Sequence, residues 1–514
     1  MGDPGAALAD LRAARRRRRL VTLDPFDAFY RASLAGLSVV MAAVVGATFL
    51  PEGPVSAATA QQVADRGPAL AGAVLALALA VGLRSGGRGG PLALHPAEVH
   101  HVLLAPLPRS GPLREALVRQ YRFGAFVGAG VGAAAGLVAA GRLPGGVLGF
   151  LVAGGATGAL TAVMALGLAA VLSGRRLGMR VADAVALGLA GLSALDVLAY
   201  TRVAPATWLG ALALAPVERD PLAAAGVALA LIAAASGVAV VGGTSLEAAL
   251  RRAGLVGELR FAATLQDVRT VLLLRRQLAQ ELPRTRPWVR LRPGAGVVVR
   301  RDLRGLARFP AVRILRMLVL GAGAGTALRG MWSGTTPLLL LAAVCLFLAA
   351  LDAIDPLGQD VDRPDRWAAF PVPDGKLLLR HLVAPTGAMV VVGLVALATA
   401  AALGPSALVP ELAGVVLPLT AFAAVVAAAG SVAMGPADGS KVIASPEAAG
   451  AGLVARVAWP PALVAVALAP LLGAREALAD GLPPVPAATD FAFLVAVPVA
   501  GAVWWISARE AVRP

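Results

Sequence analysis

Three of the four histidines in the chain, His95, His100 and His101, fall with Glu98 in the stretch HPAEVHHVLLAPLPRSGPLREALVRQYR, which runs from His95 to Arg122. Imidazole and carboxylate are usual ligands for zinc. Helical zinc sites pair ligands at i and i+4, so that both side chains share one face. That pairing is missing here, and His100 and His101 point in different directions on a helix, so the reading is surface histidines and no metal. Nucleotide chemistry fails on spacing as well. A phosphate-cradling loop needs Gly-x4-Gly-Lys-Ser/Thr; GPADGSK from Gly435 has the wrong glycine spacing, and LSGRR from Leu172 ends an apolar run. No nucleophile, base and acid gather at any one place, so the chain is read as carrying no catalytic residues, no cofactor and no enzyme activity of its own. Ionisable groups inside apolar runs are costly and usually face water or a partner. Asp196, in GLSALDVLAY, is the candidate for ion coupling on that ground, whereas Asp183 and Asp352 lie near run ends and Arg313 and Arg316 are expected to snorkel to headgroups.

The elements that would position these groups are long apolar runs. Of 514 residues 58% are hydrophobic and 15% charged, and the mean hydropathy is +0.77. A soluble core of this size cannot hide so much apolar surface. One cysteine, Cys345, excludes a disulfide framework. A span takes about 20 apolar residues, and scanning gives twelve, near 31–50, 69–83, 123–140, 146–172, 182–201, 222–243, 312–332, 336–351, 382–403, 411–434, 452–473 and 490–507. Uninterrupted runs do not alternate as barrel strands do, so these are helices.

With both termini inside, only Arg66, Arg142, Arg202, Arg219, Arg329 and Arg475 of the 46 Lys and Arg fall outside. This is the asymmetry of the positive-inside rule. The net charge of +16 is thereby assigned to topology, and no nucleic-acid partner is needed. The arginines from Arg12 to Arg19 read as a cytoplasmic anchor. About a dozen mixed residues separate them from the first run, so no cleaved signal is expected. The organisation is a basic N-terminal segment (1–30), a first six-span half (31–243), a basic cytoplasmic connector (244–310), a second six-span half (311–507) and a cytoplasmic tail (508–514). The connector begins with apolar residues at helical spacing and basic ones between, as in an amphipathic helix on a membrane surface or against a partner. Pro283, Pro287 and Pro293 then break it.

Six spans, a loop and six more invite a search for duplication. Placing Pro106 on Pro371, an offset of 265, aligns LAPLPRSGPLREALV with AFPVPDGKLLLRHLV. The ends agree more weakly: TSLEAALRR from Thr244 matches ISAREAVRP from Ile506, with Ser245, Ala249 and Arg251 opposite Ser507, Ala511 and Arg513. The fold expected is therefore an all-α polytopic membrane protein of about twelve transmembrane helices in two parallel six-helix repeats, both termini cytoplasmic. Each repeat carries a helical elbow after its second span. In the first, Pro96 starts a short helix with Glu98 near its N-terminus, and Pro106 and Pro108 force an extended break before the next span. In the second, Trp367 and Phe370 are placed to anchor at an interface.

A six-span unit with cytoplasmic ends and an elbow of the form HPAEVHHVLLAPLPRSGPLREALV resembles the permease subunits of type-2 ABC exporters, especially those of GC-rich actinobacteria. Their loops commonly read SPAE followed by LLPLPLSRRRLL. The topology of the whole chain takes part in the resemblance, but its residues lie mainly at 95–118 and less well at 352–383. What it implies is an elbow that meets a separately encoded ABC ATPase. Contact roles would fall to Glu98, Leu103, Leu104, Pro106, Pro108, Arg109 and Leu113, and in the second half to Phe370, Pro371, Pro373, Lys376 and Leu378. Two units are fused here, in place of a permease dimer, and the second loop is far more acidic. The expectation is an exporter subunit in the plasma membrane, with the bilayer and that ATPase as partners and self-association left open. A proton-coupled secondary transporter and a non-transporting membrane scaffold are the alternatives.

Overall fold

The computed structural model describes residues 54–508 apart from 95, 106–107, 200, 265–267, 280, 290–295, 362–372, 404–409 and 435–445. Among these residues every regular element is a helix. Ten helices are long and apolar enough to cross a membrane, or eleven if one bent pair counts as a span. The chain is thus a polytopic helical membrane protein. Each span expected beyond residue 50 has a counterpart, while the run at 31–50 lies outside the described residues. Two compact units divide at Gly257 and Glu258.

In the first unit, α1 (Ala57–Gly87) is capped by Ser56, whose Oγ accepts from the Thr59 amide. After α2 (Pro96–Glu98) and a π-helical turn (Val99–Leu103) come α3 (Ser110–Ala140), α4 (Val147–Gly174), α5 (Met179–Ala199), α6 (Pro205–Ala213) and α7 (Leu222–Val240). The small-residue stripe from Gly128 packs as its pattern requires. A side chain at Gly128, Gly132 or Gly136 would collide with the backbone of α4 at Gly158, Gly154 or Phe150, so α3 and α4 touch almost main chain to main chain. Helix α8 (Leu246–Thr264) follows and runs through the boundary between the units.

The second unit opens with the connector helices α9 (Val268–Leu278) and α10 (Val297–Leu306). It continues with α11 (Ala311–Trp332), α12 (Leu338–Ala353), α13 (Asp355–Val361), α14 (Asp374–Arg380), α15 (Val383–Ala402), α16 (Pro410–Ala433), α17 (Pro446–Leu468), α18 (Pro470–Ala479) and α19 (Pro484–Ser507). At about 1.5 Å per residue, the 16 residues of α12 fall short of a roughly 30 Å hydrocarbon core. The chain then bends by 57° into α13. Small residues again seat the spans: a Cβ at Gly325 would strike the Ala396 carbonyl of α15. Prolines open α6, α16, α17, α18 and α19, where a missing N–H costs nothing because the first turn has no acceptor for it.

One short helix was not expected from the hydropathy runs: α6, between the last two spans of the first unit. Its nine residues are too few to span, so a scan tuned to roughly 20-residue runs passes over it. In the second unit α18 follows α17 after a single residue and belongs to the same span, Arg456–Ala479.

Candidate functional site: two elbows and a buried charged base

The first elbow is held from beneath by apolar packing. Leu92, Leu94, Val99 and Leu103 are buried against Leu113 and Leu117 of α3, Val241 after α7, and Ala249 and Ala253 of α8. Polar ties fix the frame: the Tyr121 hydroxyl donates to the Ala234 carbonyl (3.0 Å), Arg114 to the Val238 carbonyl (3.2 Å), and the Ala93 amide to the Gln120 side chain (3.3 Å). Leu103 and Leu113 therefore position the elbow, being only 3% and 2% exposed. Leu104 (51% exposed), Pro108 and Arg109 project from it. Glu98 faces Arg119 at 3.1 Å across a solvated surface. Pro106, like His95, lies outside the described residues; His100 and His101 are exposed. No metal-holding group of three His, Cys, Asp or Glu occurs among the described residues.

The second elbow is anchored differently. Leu377, Leu378 and Leu382 are buried in the core of their unit, and Gly375 lies so close to the Ser507 carbonyl of α19 that a Cβ would overlap it. Pro373 and Lys376 are exposed, while Phe370 and Pro371 lie outside the described residues. Immediately after α14, His381 turns inward. Its Nδ1 is 2.7 Å from Asp302 of α10, and its Nε2 is 3.1 Å from Asp360 of α13. Arg301 of α10 grips both oxygens of Asp360. Two carboxylates facing the two nitrogens of one imidazole require a proton on each nitrogen, or on one carboxyl. Asp302 is fully buried and its second oxygen has no hydrogen-bond donor, and this burial raises its pKa above the usual carboxylate range.

Beside this quartet lies a larger ionic cluster at the bend after α12. Asp352 accepts from Arg275 of α9 (2.9 Å) and from two nitrogens of Arg316 (2.6 and 2.7 Å). Arg316 also reaches Glu281 at 2.7 Å. Asp355 takes Arg313 at 2.8 Å and, on its other oxygen, Arg276. Arg313 further donates to the Asp352 carbonyl (2.8 Å), and its guanidinium lies 3.9 Å over the Phe309 ring. Burial pushes the Arg276 guanidinium down to about 10 despite its acidic neighbours. This corrects the snorkelling expected of Arg313 and Arg316. Arg313 is 4% exposed and turned into the protein, where Asp355 of α13 and the Asp352 carbonyl hold it.

Asp196 has a structural occupation. Fully buried, it accepts from the Thr201 hydroxyl (2.7 Å) and from the Val203 and Ala204 amides (2.8 Å each). Those amides lie just ahead of α6, so the carboxylate pins that short helix to α5. Asp183 pairs with Arg84 at 2.7 Å.

The elbow leucines and prolines were visible in the sequence; the charged base was not. Its carboxylates lie 21 to 79 residues from their basic partners, with no local spacing to tie them. The one signal was the unusual acidity after span 336–351, set beside a connector rich in arginine. No protein-family model matches the chain, and neither a curated protein nor a solved structure does.

Proposed function

We propose that the chain is the membrane subunit of an ATP-driven exporter of the plasma membrane, served by a separately encoded ABC ATPase. It consists of two parallel six-span repeats with cytoplasmic termini. The observation that carries this reading is the correspondence of the halves at positions the alignment of the elbows did not use. Helix α6 begins at Pro205 and α18 at Pro470, an offset of 265, the one that sets Pro106 on Pro371. The last spans, from Leu222 and Pro484, are offset by 262, as are the matched ends after them. Elbow, third span and a Pro-led helical segment before the last span recur in the same order, the segment standing alone as α6 in the first unit and closing the span Arg456–Ala479 as α18 in the second.

In this reading the ATPase presses on Leu104, Pro108 and Arg109 of the first elbow and on Pro373 and Lys376 of the second, with Pro106, Phe370 and Pro371 completing the surfaces. Glu98 orients the first elbow through Arg119. Leu103, Leu113 and Leu378 act from below, transmitting the push to α3 and α15. Hydrolysis rocks the halves, and the cargo moves outward or sideways into the bilayer. Three donors engage Asp196, which gives the residue that a proton-coupled transporter would have used a structural role as well. The test is purification of the native membrane complex in mild detergent: an ABC ATPase is expected with the wild-type chain and is lost or strongly reduced with Leu104→Asp. Unchanged recovery with both Leu104→Asp and Lys376→Glu would sink the docking assignment.

A further inference from the structure

Nine arginines of the connector and of the start of α11 fall into two populations. Arg275, Arg276, Arg301, Arg313 and Arg316 point inward onto carboxylates. Arg284, Arg286, Arg304 and Arg308 are exposed, and among the described residues no carboxylate pairs with them. The nearest acids in the chain, Glu281 and Asp302, are committed to Arg316 and His381.

This second population is held in place. The Arg284 amide donates to the Arg308 carbonyl (2.9 Å) and the Trp288 amide to the Ala307 carbonyl (2.8 Å), so the segment after Pro283 runs back along the end of α10. The Trp288 indole N–H donates to the Phe309 carbonyl at 2.8 Å. Phe309 lies two residues before Ala311, where the span α11 starts, so the hook stands at the membrane boundary. The Arg284 guanidinium stacks 3.7 Å from the centre of the Trp288 ring and donates to the Arg286 carbonyl at 3.3 Å. Trp288 remains 48% exposed, and Leu282 and Val289 in the same segment also show apolar side chains to the outside.

We propose that this hook is a binding surface for the phosphate-bearing headgroups of anionic membrane lipids. Guanidinium groups match phosphate oxygens in a planar, two-pronged geometry. Tryptophan settles at headgroup depth, with its ring among acyl carbons and its N–H satisfied. Clustered cations beside a span concentrate acidic lipids. A soluble acidic partner would suit the arginines but not exposed Leu282, Trp288 and Val289 at the mouth of a transmembrane helix. The inference stands on the membrane-spanning fold and the hook's geometry, independently of the transport reading.

The experiment uses the full chain in nanodiscs of phosphatidylcholine with or without phosphatidylglycerol, reading retained lipid by native mass spectrometry and stability by thermal unfolding. The wild-type chain is expected to retain phosphatidylglycerol preferentially and to melt higher when it is present. R284Q/R286Q/R304Q/R308Q should melt like wild type in phosphatidylcholine alone, yet lose roughly half or more of the retained anionic lipid. If that variant does not fold, R286Q/R304Q, whose side chains make no described contact, gives the same comparison at smaller amplitude. Equal retention by variant and wild type would overturn the proposal. So would inorganic phosphate that stabilises the wild-type chain as much as phosphatidylglycerol does, because the site would then take a free anion.

Discussion

Each elbow leads into a long apolar span of its own unit, but the two are secured by opposite physics. The first rests on leucines, with part-buried and exposed hydrogen bonds to its frame and a solvated ion pair between Glu98 and Arg119. Below the second lies a buried ionic base that ties α9, α10, α11, α12 and α13 together and reaches the elbow through His381. Apolar packing is non-directional and tolerates small shifts. Buried charges are costly to separate and hold one arrangement. The first elbow is thus built to give, and the second to stay where the connector puts it.

The largest effect is expected from Asp352→Ala. It leaves Arg275 and Arg316 facing no carboxylate at that position, and removing one partner of a buried pair costs about 3–5 kcal/mol. Thermal unfolding in detergent should fall sharply, with new protease cleavage in the second half; a change near zero would show that the base is not what holds it. Next comes Asp196→Ala in the first half, which strips a buried amide, a part-buried amide and a part-buried hydroxyl of their acceptor. A loss of about 3 kcal/mol is expected, measured the same way, with hydrogen exchange rising around α6. If transport persisted under a proton gradient only with Asp196 intact and stability were untouched, ion coupling would return as its role.

Paired glycines sharpen the comparison directly. Gly375→Ala forces the second elbow off Ser507 and should cost about 1–3 kcal/mol. Gly111→Ala, at the start of α3, meets no atom within 4 Å and should be neutral or stabilising by up to roughly 1 kcal/mol. Equal effects would erase the distinction between the elbows.

Titration gives a smaller signal. Burial raises the Asp302 carboxyl, so the stability tied to its protonated form is present below the ordinary carboxylate range and is lost as the pH climbs through the raised value. Asp302→Asn should flatten that part of the melting-temperature profile against pH; an unchanged profile would place the proton elsewhere in the quartet. The smallest effect is assigned to Glu98→Ala, within about 1 kcal/mol for an exposed pair. A larger drop in melting temperature would mean that the first elbow, too, depends on charge.

Much of the membrane architecture was legible because hydrocarbon imposes one length on every span and backbone groups in lipid leave only the helix. The run at 336–351 read as short for a real reason: α12 is short, and the chain bends after it. The elbows were legible through their prolines. What hydropathy did not reveal was the direction of charged side chains. Arg313 and Arg316 look alike as snorkelling residues until the carboxylates of α12 and α13 are seen beside them. Asp196 likewise reads as a stray charge until its three donors, five to eight residues downstream, are folded back onto it.

The proposed docking at both elbows is tested most directly by crosslinking in the native membrane. With Cys345 replaced by Ser, single cysteines at Leu104 and at Lys376 would be joined by a short bifunctional reagent to whatever touches them. The expected result is one ABC ATPase captured from both positions, with the Leu104 crosslink changing yield when ATP is added and the Lys376 crosslink steady. Capture of no ATPase from either position, in membranes where the chain is folded, would contradict the assignment.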